Sequence, residues 1–451
     1  MANNREALLE ELTRHAEKQN RIPLELFQKY SVKRGLRNED GSGVLVGLTE
    51  IGDVHGFIFD EGDIIPEPGR LIYRGINIMD LVSGLRAENR TGFEEICYLL
   101  LFGDLPNARQ LERFTGLLAE CRSLPESFIE DNILKHPSRD VMNKLARSVL
   151  VLYSHDSNPD EVALKNVLRQ SIELIARMPI LAAYGYMAKR HYFDGHSLFI
   201  HNPRKDLNTA ENLLHLMRID SRYTRLEAET LDLALVLHAE HGGGNNSTFT
   251  VRVVTSSATD TYSAIAAGIG SLKGPLHGGA NLKVQEMMEN IKEGVRDWQD
   301  EEEIHAYLTK IVRRETFDRT GLIYGVGHAI YTLSDPRAVL LQEKAAELAA
   351  EKGLEKEFGL YRLVARKAPE VLKKEKNSNK VAAANVDFYS GFVYQMLNIP
   401  MEMYTPIFCV ARTAGWAAHR IEELVSGARI IRPAYRDVLK NRPYLPMAQR
   451  E

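Results

Sequence analysis

Residues 261–281 read TYSAIAAGIGSLKGPLHGGAN. The first half is built from Ala, Gly and Ser, with Asp260 ahead of it as a helix cap. Side chains this small let a helix approach its neighbour closely, in a deep core or at a subunit interface. The second half breaks the pattern: Pro275, Gly274, Gly278 and Gly279 surround one histidine, His277. Glycine costs backbone entropy. A turn this rich in it raises the question of what must come so close to His277.

Working outward, most of the chain reads as helix. RQLERFTGLLAECRSL (109–124) and EVALKNVLRQSIELIARM (161–178) are amphipathic at a period of 3.6. LDLALVLH (231–238) is apolar almost all round, which predicts burial, and it stops at Gly242, Gly243 and Gly244. A last long helix is expected from Thr405 as cap and Pro406 as first residue, through IFCVARTAGWAAHRIEEL, with Arg412 inside its apolar face. Only residues 43–75 alternate β-branched and aromatic residues with turn residues, predicting short strands near the N-terminus. No fixed period repeats, which argues against a solenoid.

The 451 residues, 44% hydrophobic and 26% charged, describe an ordinary globular chain. The segment from about 335 to 380 is rich in charge and suits solvated helices on an outer lobe. The expected organisation is a large domain from 1–277 and 395–451, with 278–394 inserted into it as a smaller one. A net charge of −4 offers no bulk attraction to nucleic acid or an anionic membrane. No run approaches the roughly 18 apolar residues of a spanning helix, and the N-terminal stretch lacks the apolar core of a secretory signal. Cys97, Cys121 and Cys409 are far apart and read as reduced thiols. A cytoplasmic protein is expected.

Four stretches set titratable residues among glycines or apolar residues: HAEHGGGNNSTF (238–249), GPLHGGAN (274–281), YGVGHAIYTLSDPRA (324–338) and AANVDFYSGF (383–392). Each has a plain reading alone. His238 and His241 suit a helix end in the core, and their spacing is not a zinc motif and lacks a third ligand. His277 suits a turn. GVGH lacks the Lys-Ser/Thr of a phosphate loop. Asp387 suits the first turn of a helix, and Arg337 a loop ion pair. As a set they fit something sharper. Two histidines in glycine turns and one aspartate, without a nucleophilic Ser or Cys, suit removal of a proton beside a carbonyl and stabilisation of the enolate. Arg412 in an apolar helix needs an anion, and a small polycarboxylate would supply one.

In this order and at these intervals, the four stretches resemble the citrate synthase family over about residues 43–435. GPLHGGAN, GVGHAIYTLSDPR, NVDFYSG, and the VAR of 410–412 followed by ARIIRP carry the resemblance. It implies an all-α fold, a large helical domain with a smaller helical domain closing over a cleft. It also implies condensation of acetyl-CoA with oxaloacetate and hydrolysis to citrate and CoA, with 2-methylcitrate synthesis from propionyl-CoA as the alternative. Asp387 matches the base, His277 the donor to the thioester oxygen, and His328 the donor to the ketone. His241, Arg337 and Arg412 match contacts to oxaloacetate, and Asn245 and Ser247 lie where the family places polar groups beside the thioester. Arg432 matches an arginine that reaches the neighbouring subunit's site in a homodimer, for whose interface the LDLALVLH and small-residue helices are the candidates. Gly325, Val326, Gly327 and Asn385 would lie against CoA, with Lys376 and Lys380 near its phosphates. No metal or resident cofactor is implied; the CoA thioester is a substrate. A non-catalytic scaffold has no use for His277, His328 and Asp387 together, and a lyase run in reverse would need a second activity to drive it.

Overall fold

A computed structural model describes residues 2–19, 21–38, 42–60, 63–376, 382–427, 429–440 and 442–450. Two helices, α1 (Ala2–Gln19) and α2 (Leu24–Lys29), precede an antiparallel sheet of β1 (Gly52–Asp60), β2 (Asp63–Tyr73) and β3 (Ile76–Asn77) in the order β1-β2-β3. Val54 faces Leu71 across the β1–β2 ladder, and the register slips between His55 and Phe57. β1 and β2 fall inside the alternating segment, and β3 lies just past its end. Among the described residues, the longer elements beyond are helices.

The larger helical layer comprises α3 (Ile78–Ala87), α4 (Phe93–Phe102), α5 (Ala108–Cys121), α6 (Val141–Tyr153), α7 (Leu164–Asp194), α8 (Thr209–Met217), α9 (Arg225–His238), α10 (Asn246–Thr255) and α11 (Thr261–Lys273). It is completed by α17 (Tyr404–Val425) from the other end of the chain, which packs against α4, α6, α7, α9, α10 and α11. Between them come α12 (Ala280–Gly294), α13 (Glu301–Val312), α14 (Pro336–Lys352), α15 (Glu355–Glu375) and α16 (Val386–Met396), which pack chiefly on one another. Of these, α14 also lies on α3, α9 and β2. It joins the smaller helical group to the larger.

Local chemistry explains the boundaries. Asp260 caps α11 by accepting from Ser263 N at 2.8 Å, and Thr224 caps α9 in a reciprocal box with Glu227. Two expectations need correction. The last helix starts at Tyr404 with Met403 at its N-cap, so Pro406 is its third residue. Thr405 does not cap it; its hydroxyl donates to Gly278 O at 2.9 Å. The helix expected at 161–178 starts at Leu164 and runs through Pro179 to Asp194. Burial of both flanks of Pro179 outweighs the hydrogen bond it removes. The apolar LDLALVLH segment is used up inside the chain: Leu231, Leu235 and Leu237 are fully buried among α4, α8, α14 and α17. That leaves α11, whose Ala266, Ala267 and Gly270 are not fully covered, as the small-residue helix with a free face.

Candidate active site

The turn after α11 explains its glycines. A Cβ on Gly278 would come within 2.9 Å of Thr405 Cγ2 and clash with the Leu272 carbonyl, so only glycine lets the turn seat under α17. His277 then projects toward the start of α10. Its Nε2 lies 3.3 Å from Ser247 N and 2.9 Å from Ser247 Oγ. A backbone N–H can only donate, so Nε2 accepts and the ring proton sits on Nδ1. Burial, with Arg412 adding to it, pushes the His277 pKa down to about 4. The ring is neutral at physiological pH, with one N–H to offer. Ser247 Oγ also lies 3.0 Å from Asn245 Oδ1 and accepts from Trp416 Nε1 at 3.3 Å.

His328 is held differently. Gly325 and Gly327 have φ of +74° and +92°, a region that favours glycine. Their backbone pairs with the segment before α16: Asn385 N donates to Gly325 O and Gly327 N to Ala383 O, both at 2.8 Å. Asn385 Nδ2 adds a bond to Gly327 O at 2.9 Å. The chain then turns back, and Ile330 N and Tyr331 N donate to His328 Nδ1 at 3.1 and 3.2 Å. The proton of this ring therefore lies on Nε2. Burial, and then Arg337, lower its pKa to about 4. The same pairing fixes Asp387 in the first turn of α16, where Asn385 Oδ1 accepts from Asp387 N at 3.0 Å. Burial raises the Asp387 carboxyl to about 6, against the opposing charge of Arg337.

Arg337 is buried, not a loop residue. Asp335 caps α14 and grips Arg337 through two bonds, Nε–Oδ1 at 3.1 Å and Nη2–Oδ2 at 2.8 Å. Asp335 also accepts from Val386 N at 3.1 Å, tying this arginine to the turn that carries Asp387. Arg412 is fully buried and, among the described residues, has no carboxylate in hydrogen-bond reach. Its Nε donates to His238 O at 2.7 Å, while Nη1 and Nη2 have no partner among the described residues. Burial lowers its pKa to about 10, which leaves it charged. A buried guanidinium with two unpaired amino groups calls for a carboxylate. His241 Nε2, both nitrogens of His238 and the Tyr331 hydroxyl are likewise buried without partners. The rings of His241, His328 and Tyr331 lie 4.7–5.6 Å apart.

The charge of Arg412 is felt at His277, His241, Tyr331 and Asp387. Hydrogen bonds and ring contacts link Arg337, Asn245, Ser247, Asn385 and the 325–327 turn to these residues. Arg432 does not join them within the chain; it is exposed beyond α17. Lys376 is exposed at the end of α15, and Lys380 lies outside the described residues. Asp335, Tyr331 and His238 belong to the site but were not picked out as site residues by sequence reasoning. Asp335 was the most accessible of them, since Asp-Pro at a helix start signals a cap.

These features bring two neutral histidines, a carboxyl raised to about 6 and a buried arginine with open amino groups to the meeting of two helical groups. The citrate synthase C-terminal domain model matches residues 40–434. A citrate synthase of Haloferax volcanii is 33% identical, covering 90% of this chain and 95% of the relative. A 2-methylcitrate synthase of Shewanella oneidensis is 35% identical, covering 84% and 92%. The crystal structure of citrate synthase from Pyrobaculum aerophilum superposes with a TM-score of 0.72 at 31% identity, covering 90% of this chain and 94% of that one. The chain belongs to the citrate synthase family, whose members are acyl-CoA-condensing transferases. Its fold is the all-α fold of that family, with a small helical domain and short N-terminal strands.

Proposed function

We propose that this protein condenses acetyl-CoA with oxaloacetate and hydrolyses the resulting thioester to citrate and CoA. One observation carries the reading: a carboxyl raised to about 6, Asp387, stands with two neutral histidines, each pinned at one nitrogen by a backbone N–H. Asp387 removes a methyl proton from the acetyl group. As charge moves to the thioester oxygen, His277 Nδ1–H donates to it. The enolate carbon attacks the oxaloacetate ketone, whose oxygen takes a hydrogen bond and then the proton from His328 Nε2. Water completes the hydrolysis. Arg412 and His241 hold one carboxylate of oxaloacetate, and Arg337 faces the other while bound to Asp335.

The backbone of Gly325, Val326 and Gly327, with Asn385, borders the thioester and its carrier. Lys376 and Lys380 serve the CoA phosphates. Residues 278–394 close over the substrates as a unit, excluding water while the enolate exists. The working form is a homodimer packed through α11, with Arg432 of each chain in the other's site. The similarity to a 2-methylcitrate synthase supports propionyl-CoA as the competing acyl donor. One methylene in a pocket changes preference by only ~1–3 kcal/mol. Steady-state kcat/KM for the two thioesters, with oxaloacetate present, decides between them. Preference for acetyl-CoA is expected, and a higher value for propionyl-CoA replaces this reading with the alternative.

A further inference from the structure

Below the carboxylate pocket lies a second acid that the condensation chemistry does not use. Glu240 is fully buried. Arg412, Gly415 and His419 follow one another along one face of α17, and the 238–242 turn crosses that face. Arg412 Nε holds His238 O at 2.7 Å. Gly415 makes room for the acid: a Cβ there would stand 2.5 Å from Glu240 Oε2, and one on Gly52 would stand 2.8 Å from Glu240 Cγ. Glu240 Oε1 accepts from His419 Nε2 at 2.9 Å and from Gly242 N at 2.5 Å. Arg252 Nη1 donates to His419 Nδ1 at 2.9 Å, which leaves the His419 proton on Nε2, aimed at Glu240. Glu240 Oε2 has no partner among the described residues. Burial alone would raise this carboxyl. The His419 bond, the charge of Arg412 and the Gly242 amide outweigh burial and hold it below its ordinary value.

The acid is thus an anion, built in next to an arginine whose amino groups are open. Asp335 differs in being bonded directly to Arg337, whereas Glu240 acts on Arg412 through its charge alone. Asp387 adds its charge to both arginines. We propose that Glu240 is a positioning residue: it holds the turn that carries His241 and offsets Arg412, so that a dicarboxylate is bound and a tricarboxylate product is released. This rests on the reaction proposed above, in which the product carries one more carboxylate than the keto acid. Without Glu240, a ligand carboxylate supplies more of the counter-charge of Arg412, and the ligand with more charge gains more.

The test measures dissociation constants of citrate and oxaloacetate by calorimetry on the intact protein, with no turnover. Glu240→Gln keeps an oxygen to accept from His419 and Gly242 but removes the charge. Citrate should bind about tenfold tighter and oxaloacetate about threefold tighter, shifting their ratio about threefold toward citrate. Glu240→Asp keeps the charge and should keep the wild-type ratio, even if both constants move. A purely structural role would shift both ligands alike in every variant. An unchanged ratio in Glu240→Gln therefore overturns the proposal. If that variant does not fold, Glu240→Asp still decides: a citrate-to-oxaloacetate ratio moved about threefold with the charge kept overturns the proposal. Wild-type protein that binds neither anion overturns the substrate reading, and the role of Glu240 with it.

Discussion

His277 and His328 are both held by backbone N–H groups, but at different ring nitrogens and from different distances along the chain. His328 is held by its own turn, from Ile330 and Tyr331. His277 is held by Ser247, 30 residues away at the N-terminus of another helix. Both rings come out neutral with one N–H left to donate, Nε2 on His328 and Nδ1 on His277. Opposite tautomers follow from opposite attachments. A positioned neutral donor can be made locally, by a turn of the right shape, or at a distance, by the free amides of a helix start. The first is robust to movement between helices. The second depends on α10 and α11 staying in register.

In the proposed mechanism both donors depend on a base, Asp387, and the largest expected effect is there. Asp387→Asn keeps the shape but cannot accept a proton, so condensation should fall by ~10²–10⁴-fold while oxaloacetate affinity hardly changes. Near-normal turnover would remove Asp387 from the mechanism. The same base sets the acid limb of the pH profile. In the proposed mechanism Asp387, raised by burial to about 6, works deprotonated, whereas both histidines stay neutral down to about 4. In the wild type, kcat/KM should be level above about pH 6 and fall tenfold per unit below it. A limb centred near 4 would assign control to a histidine.

The comparison also takes the cations around the two rings as complete, and Arg432 tests that. Loss of a charge-assisted clamp on a desolvated carboxylate costs ~2–5 kcal/mol, so Arg432→Ala should be nearly inactive as a homodimer. Asp387→Ala should be too. Co-expressed, the two variants form mixed dimers with one doubly defective and one intact site if Arg432 serves the partner. Random pairing then returns about a quarter of wild-type activity. No recovery would place Arg432 in its own chain's site.

Next in size are the two histidines themselves. If His328 serves the ketone, His328→Ala should weaken oxaloacetate binding by about 5–10-fold, the scale of one neutral hydrogen bond. His277→Ala should leave that binding within about twofold while abolishing enolate formation, read as exchange of acetyl protons into solvent. Equal losses of oxaloacetate affinity would erase the difference in role.

The two turns also show what a sequence discloses. Local features were legible: the hairpin segment, the Asp260 cap, the glycines around His277 and the four polar stretches. What failed to show depends on partners far away in the chain. Arg337 read as a loop ion pair because its burial comes from packing of α14 on α9 and β2, with only Asp335 nearby in sequence. LDLALVLH was readable as buried, but not as buried by its own chain. The Glu240–His419 contact spans 179 residues and leaves no local trace beyond a charge in an apolar setting. Propensity marks where elements lie; which faces meet is decided by the whole core.

The smallest effect bears most directly on the difference between the two histidines. His328 has no side chain among its ring-nitrogen partners, but His277 has two groups of Ser247 within reach, an amide and a hydroxyl. If the amide sets the tautomer, Ser247→Ala should leave His277 Nδ1 protonated. The variant loses one buried neutral bond to His277, about 0.5–1.5 kcal/mol or about 2–10-fold in kcat, while Trp416 Nε1–H left without its acceptor costs a further ~1–3 kcal/mol of stability. Nitrogen chemical shifts of labelled histidine would show Nδ1 still protonated. A loss of 100-fold or more, with the proton moved to Nε2, would mean that the hydroxyl holds the ring. His277 would then be a side-chain-positioned donor, and the likeness to His328 would end at neutrality.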